Sequence, residues 1–216
     1  MFTLNPQSKD FIATLEFFLK LFGGGGAFYL FLIGLARYKK DQVWKRSEFV
    51  AREMKDFTSD KVVQVVMSIL DWGARYVELF PDKPVHADRF VRVDRSILKA
   101  ALQCHTYRSP DPEKIRFTRT EVAIRDHFDH FLSYFERFDQ FVVAGLIAPE
   151  ELKPYLTYWI ETISKNMEED VRNFMHHYID QYGYRGTQDL FVRFGEDICP
   201  RSKIESTRSI GEEKAS

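Results

Sequence analysis

Apolar residues recur at alternating spacings of four and three through most of the chain, the period that lays a stripe along one face of an α-helix. The longest such run is Ile124, Phe128, Phe131, Phe135, Phe138 and Val142. Thr118 with Glu121 forms a capping-box pattern that opens this helix, and Gly145 closes it, so it is expected to be the central core helix. An earlier stripe of Val43, Ser47, Val50, Met54 and Phe57 continues from the amino-terminal segment, with Thr58 and Ser59 offering its stop and the next N-cap. A second helix is predicted from about Asp60 to Phe80, deeply buried because Val62, Val65, Val66, Ile69, Leu70 and Trp72 nearly encircle its first half.

Pro81 to Pro84 break that helix, and the stretch to Val93 reads as a loop or short extended piece. Asp94 then caps a helix from Arg95 to about His105, and Ser109 to Pro112 form the next loop. After the central helix, Ala148 to Glu150 start a short helical turn, and Pro154 sits at the first turn of a helix through Ile163. A further helix runs from about Glu168 to Tyr182, and Gly186 with Thr187 starts a last short one that stops at Gly195. No internal repeat is found, and no alternating run is long enough to predict a sheet. The fold class expected is all-α: a bundle of about five to seven helices over residues 41–195, preceded by a long hydrophobic helix within 1–40 and followed by a disordered tail over 196–216.

The amino-terminal segment departs from the stripe pattern. Leu21 to Ala36 carries no charge, and the run extends back to Phe11 across Glu16 and Lys20. At ~1.5 Å per residue the uncharged part covers ~24 Å, which Phe11, Phe17, Phe18 and Leu19 extend towards the ~30 Å of hydrocarbon in a bilayer. Lys20 can snorkel and pair with Glu16, so the segment is read as a single membrane span. Arg37, Lys39, Lys40, Lys45 and Arg46 follow it, and the positive-inside bias puts the carboxy-terminal body in the cytoplasm. The first residues lack the basic side chain and cleavage site of a secretory signal. Gly23 to Gly26 allow the other arrangement, in which one helix ends and Ala27 to Ala36 is too short to cross. Gly23 and Ala27 also form a small-xxx-small pair suited to close approach of two copies, so a homo-oligomer is one expected state.

Charge and composition narrow the function classes. Thirty-one basic against thirty-two acidic residues give no global field for nucleic acid, and none is expected as a partner. Cys104 and Cys199 stand in neither a disulfide framework nor a zinc spacing. Twenty phenylalanines and ten tyrosines point to a core built from rings. No cofactor signature is present, since the glycine quartet neither follows a strand nor precedes a Gly-Lys pair.

Candidate chemistry is confined to a few polar positions. Asp126 and His130 share a helical face near His127 and Asp129, and with His176 or His177 they define an alternative reading as a metal-dependent hydrolase. The plainer reading places Asp126 and Asp129 in the first turns of a helix and His127 beside the phenylalanine stripe as a half-buried residue. Asp71, Arg75, Arg125 and Asp126 are candidates for a structural polar network, in which Asp71 pairs with Arg75 or Arg125 to set helix register. Tyr155, Tyr158 and Trp159 read as core aromatics.

Several strings carry a resemblance: Trp44-Lys45-Arg46 before Glu48-Phe49, Leu70-Asp71-Trp72, Ile124-Arg125-Asp126 before Phe128-Asp129, Gly145-Leu146-Ile147, and Pro154-Tyr155 before Tyr158-Trp159. Over residues 25–195 these resemble an uncharacterised family of small bacterial helical proteins with a hydrophobic amino-terminal segment. The resemblance implies that architecture and no catalytic residue. Together these readings predict a membrane-anchored cytoplasmic interaction or scaffold module, touching membrane lipid through its amino terminus, with the basic collar able to meet anionic headgroups.

Overall fold

The computed structural model describes residues 6–104 and 117–198, with side chains described from Tyr29 onward apart from Phe31, Ala36 and Lys39. The described part is predominantly helical. Its elements are α1 (Pro6–Ser59), α2 (Lys61–Asp71), β1 (Ala74–Glu78), a 3-10 turn (His86–Arg89), β2 (Phe90–Asp94), α3 (Arg95–Leu102), α4 (Arg119–Val143), α5 (Pro149–Glu161), a π-helical turn (Thr162–Asn166), α6 (Glu169–Gln181) and α7 (Arg185–Arg193). The chain divides into two compact units, Met1–Phe49 and Val50–Ser216.

The first unit is a stretch of α1. Among the described residues, no helix is long and apolar enough to cross a membrane. The expected span over 11–36 falls mostly on side chains outside the described residues, as does most of the expected tail. At the start of that tail, Glu196 accepts an ion pair from Lys165 at 2.7 Å and Ile198 is buried, so ordered packing extends past the boundary expected at 195.

The second unit is organised around α4, which packs against α2, α3 and α7. Of its predicted stripe, Ile124, Phe128, Phe131, Phe135 and Phe138 are fully buried and Val142 is half-buried. Thr118 Oγ1 accepts from the Glu121 N–H at 3.2 Å while the Glu121 carboxylate accepts from the Thr118 N–H at 2.9 Å, completing the capping box. Phe57 of α1 meets Phe131 and Phe138 at ring-centroid distances of 5.7 and 5.5 Å, and Phe191 of α7 meets Phe135 at 6.0 Å. Tilted and edge-on rings of this kind add about 0.5–1.5 kcal/mol per pair beyond the area they bury.

The structure corrects the predicted elements in four places. Helix α2 ends at Asp71 rather than near Phe80, because Trp72 turns extended (φ −125, ψ 133) ahead of Gly73. The chain then enters a two-stranded antiparallel sheet, pairing Arg75 with Val93, Tyr76 with Arg92 and Val77 with Val91. The alternation went unrecognised because each strand is five residues long and only Val77 and Val93 are buried. Asp60, not Thr58 or Ser59, caps α2: its Oδ1 accepts from the N–H groups of Val62 (2.8 Å) and Val63 (3.3 Å), while Thr58 Oγ1 donates back into α1. Pro154 lies inside α5, where Pro149 takes the first turn instead. An exposed proline is tolerated there because its missing N–H would have served only Glu150, in the exposed first turn.

Candidate functional site

Three polar clusters tie the second unit together, and of the predicted site residues they take in Arg125, Asp129 and His130. In the first, Arg125 is buried on the inner face of α4. Its Nη1 donates to the carbonyls of Ala101 (2.7 Å) and Gln103 (3.2 Å), where α3 ends and leaves acceptors without helical partners. The guanidinium lies 4.5–5.0 Å from the ring centroids of Phe117, Tyr178 and Tyr182. One turn further along α4, Asp129 accepts from the hydroxyls of Tyr178 (2.5 Å) and Tyr184 (2.6 Å). Burial and the neighbouring carboxylate both push these two phenols well above their ordinary range, so they stay protonated donors.

The second cluster centres on Asp60. While Oδ1 caps α2, Oδ2 meets His130 Nε2 at 2.8 Å and accepts from the Tyr134 hydroxyl at 3.1 Å. Burial alone would raise this carboxyl. The hydrogen bonds from His130, Val62, Val63 and Tyr134 outweigh it and hold Asp60 below the usual carboxylate range. In the third, Glu136 of α4 accepts from the Gly186 N–H (3.1 Å), the Thr187 N–H (2.5 Å) and Thr187 Oγ1 (2.8 Å), closing the amino terminus of α7 from outside.

The predicted network is rearranged. Asp71 does not pair with Arg75 or Arg125: it is exposed and accepts from the Tyr158 hydroxyl at 2.6 Å. Arg75 is also exposed and lies 5.4 Å above the Trp72 ring. The pairing fails because Arg125 is satisfied by α3 and α2 stops before Arg75. Asp126 is exposed on α4. Tyr155 and Tyr158, read as core, are exposed on α5. The metal alternative finds no ligand set: among the described residues, no group of three His, Cys, Asp or Glu side chains converges. His130 is engaged by Asp60, and His176 Nε2 lies 2.9 Å from the Ile163 carbonyl in the π-helical turn.

That carbonyl can only accept, so His176 Nε2 carries the hydrogen. Burial pushes the imidazole below its ordinary value, with the Arg172 charge adding to the effect and the Ile163 bond opposing it. A lowered folded-state value means the fold prefers neutral histidine. Its contribution is therefore complete above the unfolded value of about 6.5 and is lost as pH falls below it. The melting temperature is expected to drop between pH 7.5 and 5, and His176→Gln, which keeps an N–H donor without the titration, should flatten that drop.

A further set of polar and aromatic side chains lies on the surface near the hairpin. Trp72, Tyr76 and Tyr158 are each more than half exposed, and Arg75 stands among them. Trp, Tyr and Arg are the residues that dominate binding energy at protein interfaces. A groove of 360 Å³ lies between β1 and α2. Sequence reading missed this surface because Trp72 and Arg75 were assigned to a helix. Compared with protein-family models, curated proteins and solved structures, the chain matches none.

Proposed function

We propose that the chain is a membrane-tethered helical interaction module, attached through residues 11–36 with its second unit in the cytoplasm. The observation that carries this reading is the exposure of Tyr29 (65%), Leu30 (68%), Leu32 (46%) and Leu35 (42%) on one short stretch of α1. Covering such side chains is worth about 1.5–3 kcal/mol each when burial is complete. A cluster of this kind on a helix therefore calls for lipid or another apolar surface. Arg37, Lys39, Lys40, Lys45 and Arg46 follow directly, and basic residues near an anionic leaflet contribute about 1 kcal/mol each. The resemblance to small bacterial helical proteins with a hydrophobic amino-terminal segment agrees with this arrangement and supplies no activity. The second unit adds a rigid, ring-packed body that displays an aromatic and basic surface.

Flotation of the full-length chain with vesicles of phosphatidylcholine and phosphatidylglycerol tests the tether. The expected result is co-flotation that survives an alkaline carbonate wash. Release by the wash would replace the span with an interfacial helix, and failure to float at all would overturn the membrane reading.

A further inference from the structure

Four consecutive residues of β1, Arg75, Tyr76, Val77 and Glu78, line the groove beside α2. Successive side chains of a strand point to opposite faces, so a groove that touches all four runs along the strand, with Pro81 and Phe90 of β2 at its end. Among the described residues the sheet has two strands, which leaves the other edge of β1 without a strand neighbour. The facing wall is the stripe of α2 at positions 61, 62, 64, 65 and 68. We propose that this groove binds an extended peptide of a partner protein carrying acidic residues, which adds as a third strand to β1.

Backbone hydrogen bonds to an open edge supply affinity in this mode, and the flanking wall supplies selectivity. Five residues of β1 span about 17 Å, enough to register a short strand. The charge is one-sided. Lys61 and Arg75 are exposed at the groove, whereas Glu78, the carboxylate among its lining residues, is engaged by Arg89 at 3.8 Å. His127 also lines the groove, held by its Nδ1, which donates to the Ala123 carbonyl at 2.7 Å. The same two cations repel a second copy of this edge, so the groove favours an acidic partner over self-association. Val62, Val65 and Tyr76 provide apolar contact for alternate side chains of the incoming strand.

This inference rests on reading the second unit as a binding module and is independent of the membrane tether. The test titrates the full-length chain with a fluorescein-labelled, acetylated peptide of alternating valine and glutamate. It is paired with hydrogen exchange and with a backbone-N-methylated peptide of the same charge. Saturable binding is expected, with new amide protection over residues 61–78, and N-methylation should weaken it by about tenfold or more. Lys61→Glu combined with Arg75→Glu should weaken it as much while leaving the melting temperature unchanged, and should favour a valine-lysine peptide. Equal binding of the N-methylated peptide would reduce the effect to charge attraction and overturn strand addition. So would protection appearing elsewhere, or no binding at about 1 mM. None of these outcomes touches the flotation result, which reads residues 11–46.

Discussion

Arg125→Met is expected to destabilise the protein by about 3–5 kcal/mol. Methionine fills much of the stem's volume, so packing loss is small and the cost is polar. The carbonyls of Ala101 and Gln103 at the end of α3 lose their donor, and an unsatisfied buried acceptor costs about 1–3 kcal/mol. The aromatic surroundings of Phe117, Tyr178 and Tyr182 lose their cation. Asp129, half-buried, keeps its two tyrosine donors but loses the cation one turn away. Arg125→Lys retains the charge and is expected to recover less than half of the loss, because an ammonium lacks the planar face that stacks among rings. Chemical denaturation of the three proteins checks the ranking. A methionine variant within about 1 kcal/mol of the parent would mean that Arg125 is a solvated side chain and not the tie between α3 and α4.

What the sequence made legible follows the range of the interactions. Helix α4 could be read because its cap, its phenylalanine stripe and its closing Gly145 are all local signals within one segment. The hairpin could not, because Arg75, Glu78 and Arg92 interrupt short strands whose pairing joins residues across an intervening 3-10 turn. The polar positions split in the same way. Arg125 stood out as a charge within an apolar run, but its partners are backbone carbonyls on another helix, and no side-chain pattern announces those. Asp60 meets His130 and Tyr134 across about seventy residues, a contact set by the packing of α2 on α4. For the exposed Trp72, Arg75 and Tyr76 surface, the one available signal was Gly73 directly after Trp72, a break that would have ended the helix early and placed Arg75 on a strand.

Gly186→Ala is expected to destabilise the protein by about 2–3 kcal/mol, against the usual gain from replacing glycine in a helix. The residue lies in the first turn of α7 and its φ is not positive, so backbone strain is not the reason. Space is. A β-carbon there would sit 2.9 Å from Glu136 Oε2, 3.2 Å from its Cδ and 3.3 Å from its Cα. The carboxylate could swing away, but only by giving up the N–H groups of Gly186 and Thr187 and the Thr187 hydroxyl. Because the third contact is to the backbone of α4, α7 itself must also move, which loosens Phe191 from Phe135. Tyr184 supplies no side-chain cap of its own, so the terminus has no substitute for Glu136. The mechanism predicts strong coupling: Glu136→Ala should cost about 2 kcal/mol in the parent and markedly less in the Gly186→Ala background, where the cap is already lost. Equilibrium denaturation of the four proteins closes the cycle, and additive costs, or a Gly186→Ala variant more stable than the parent, would show that α7 has room to spare at this contact.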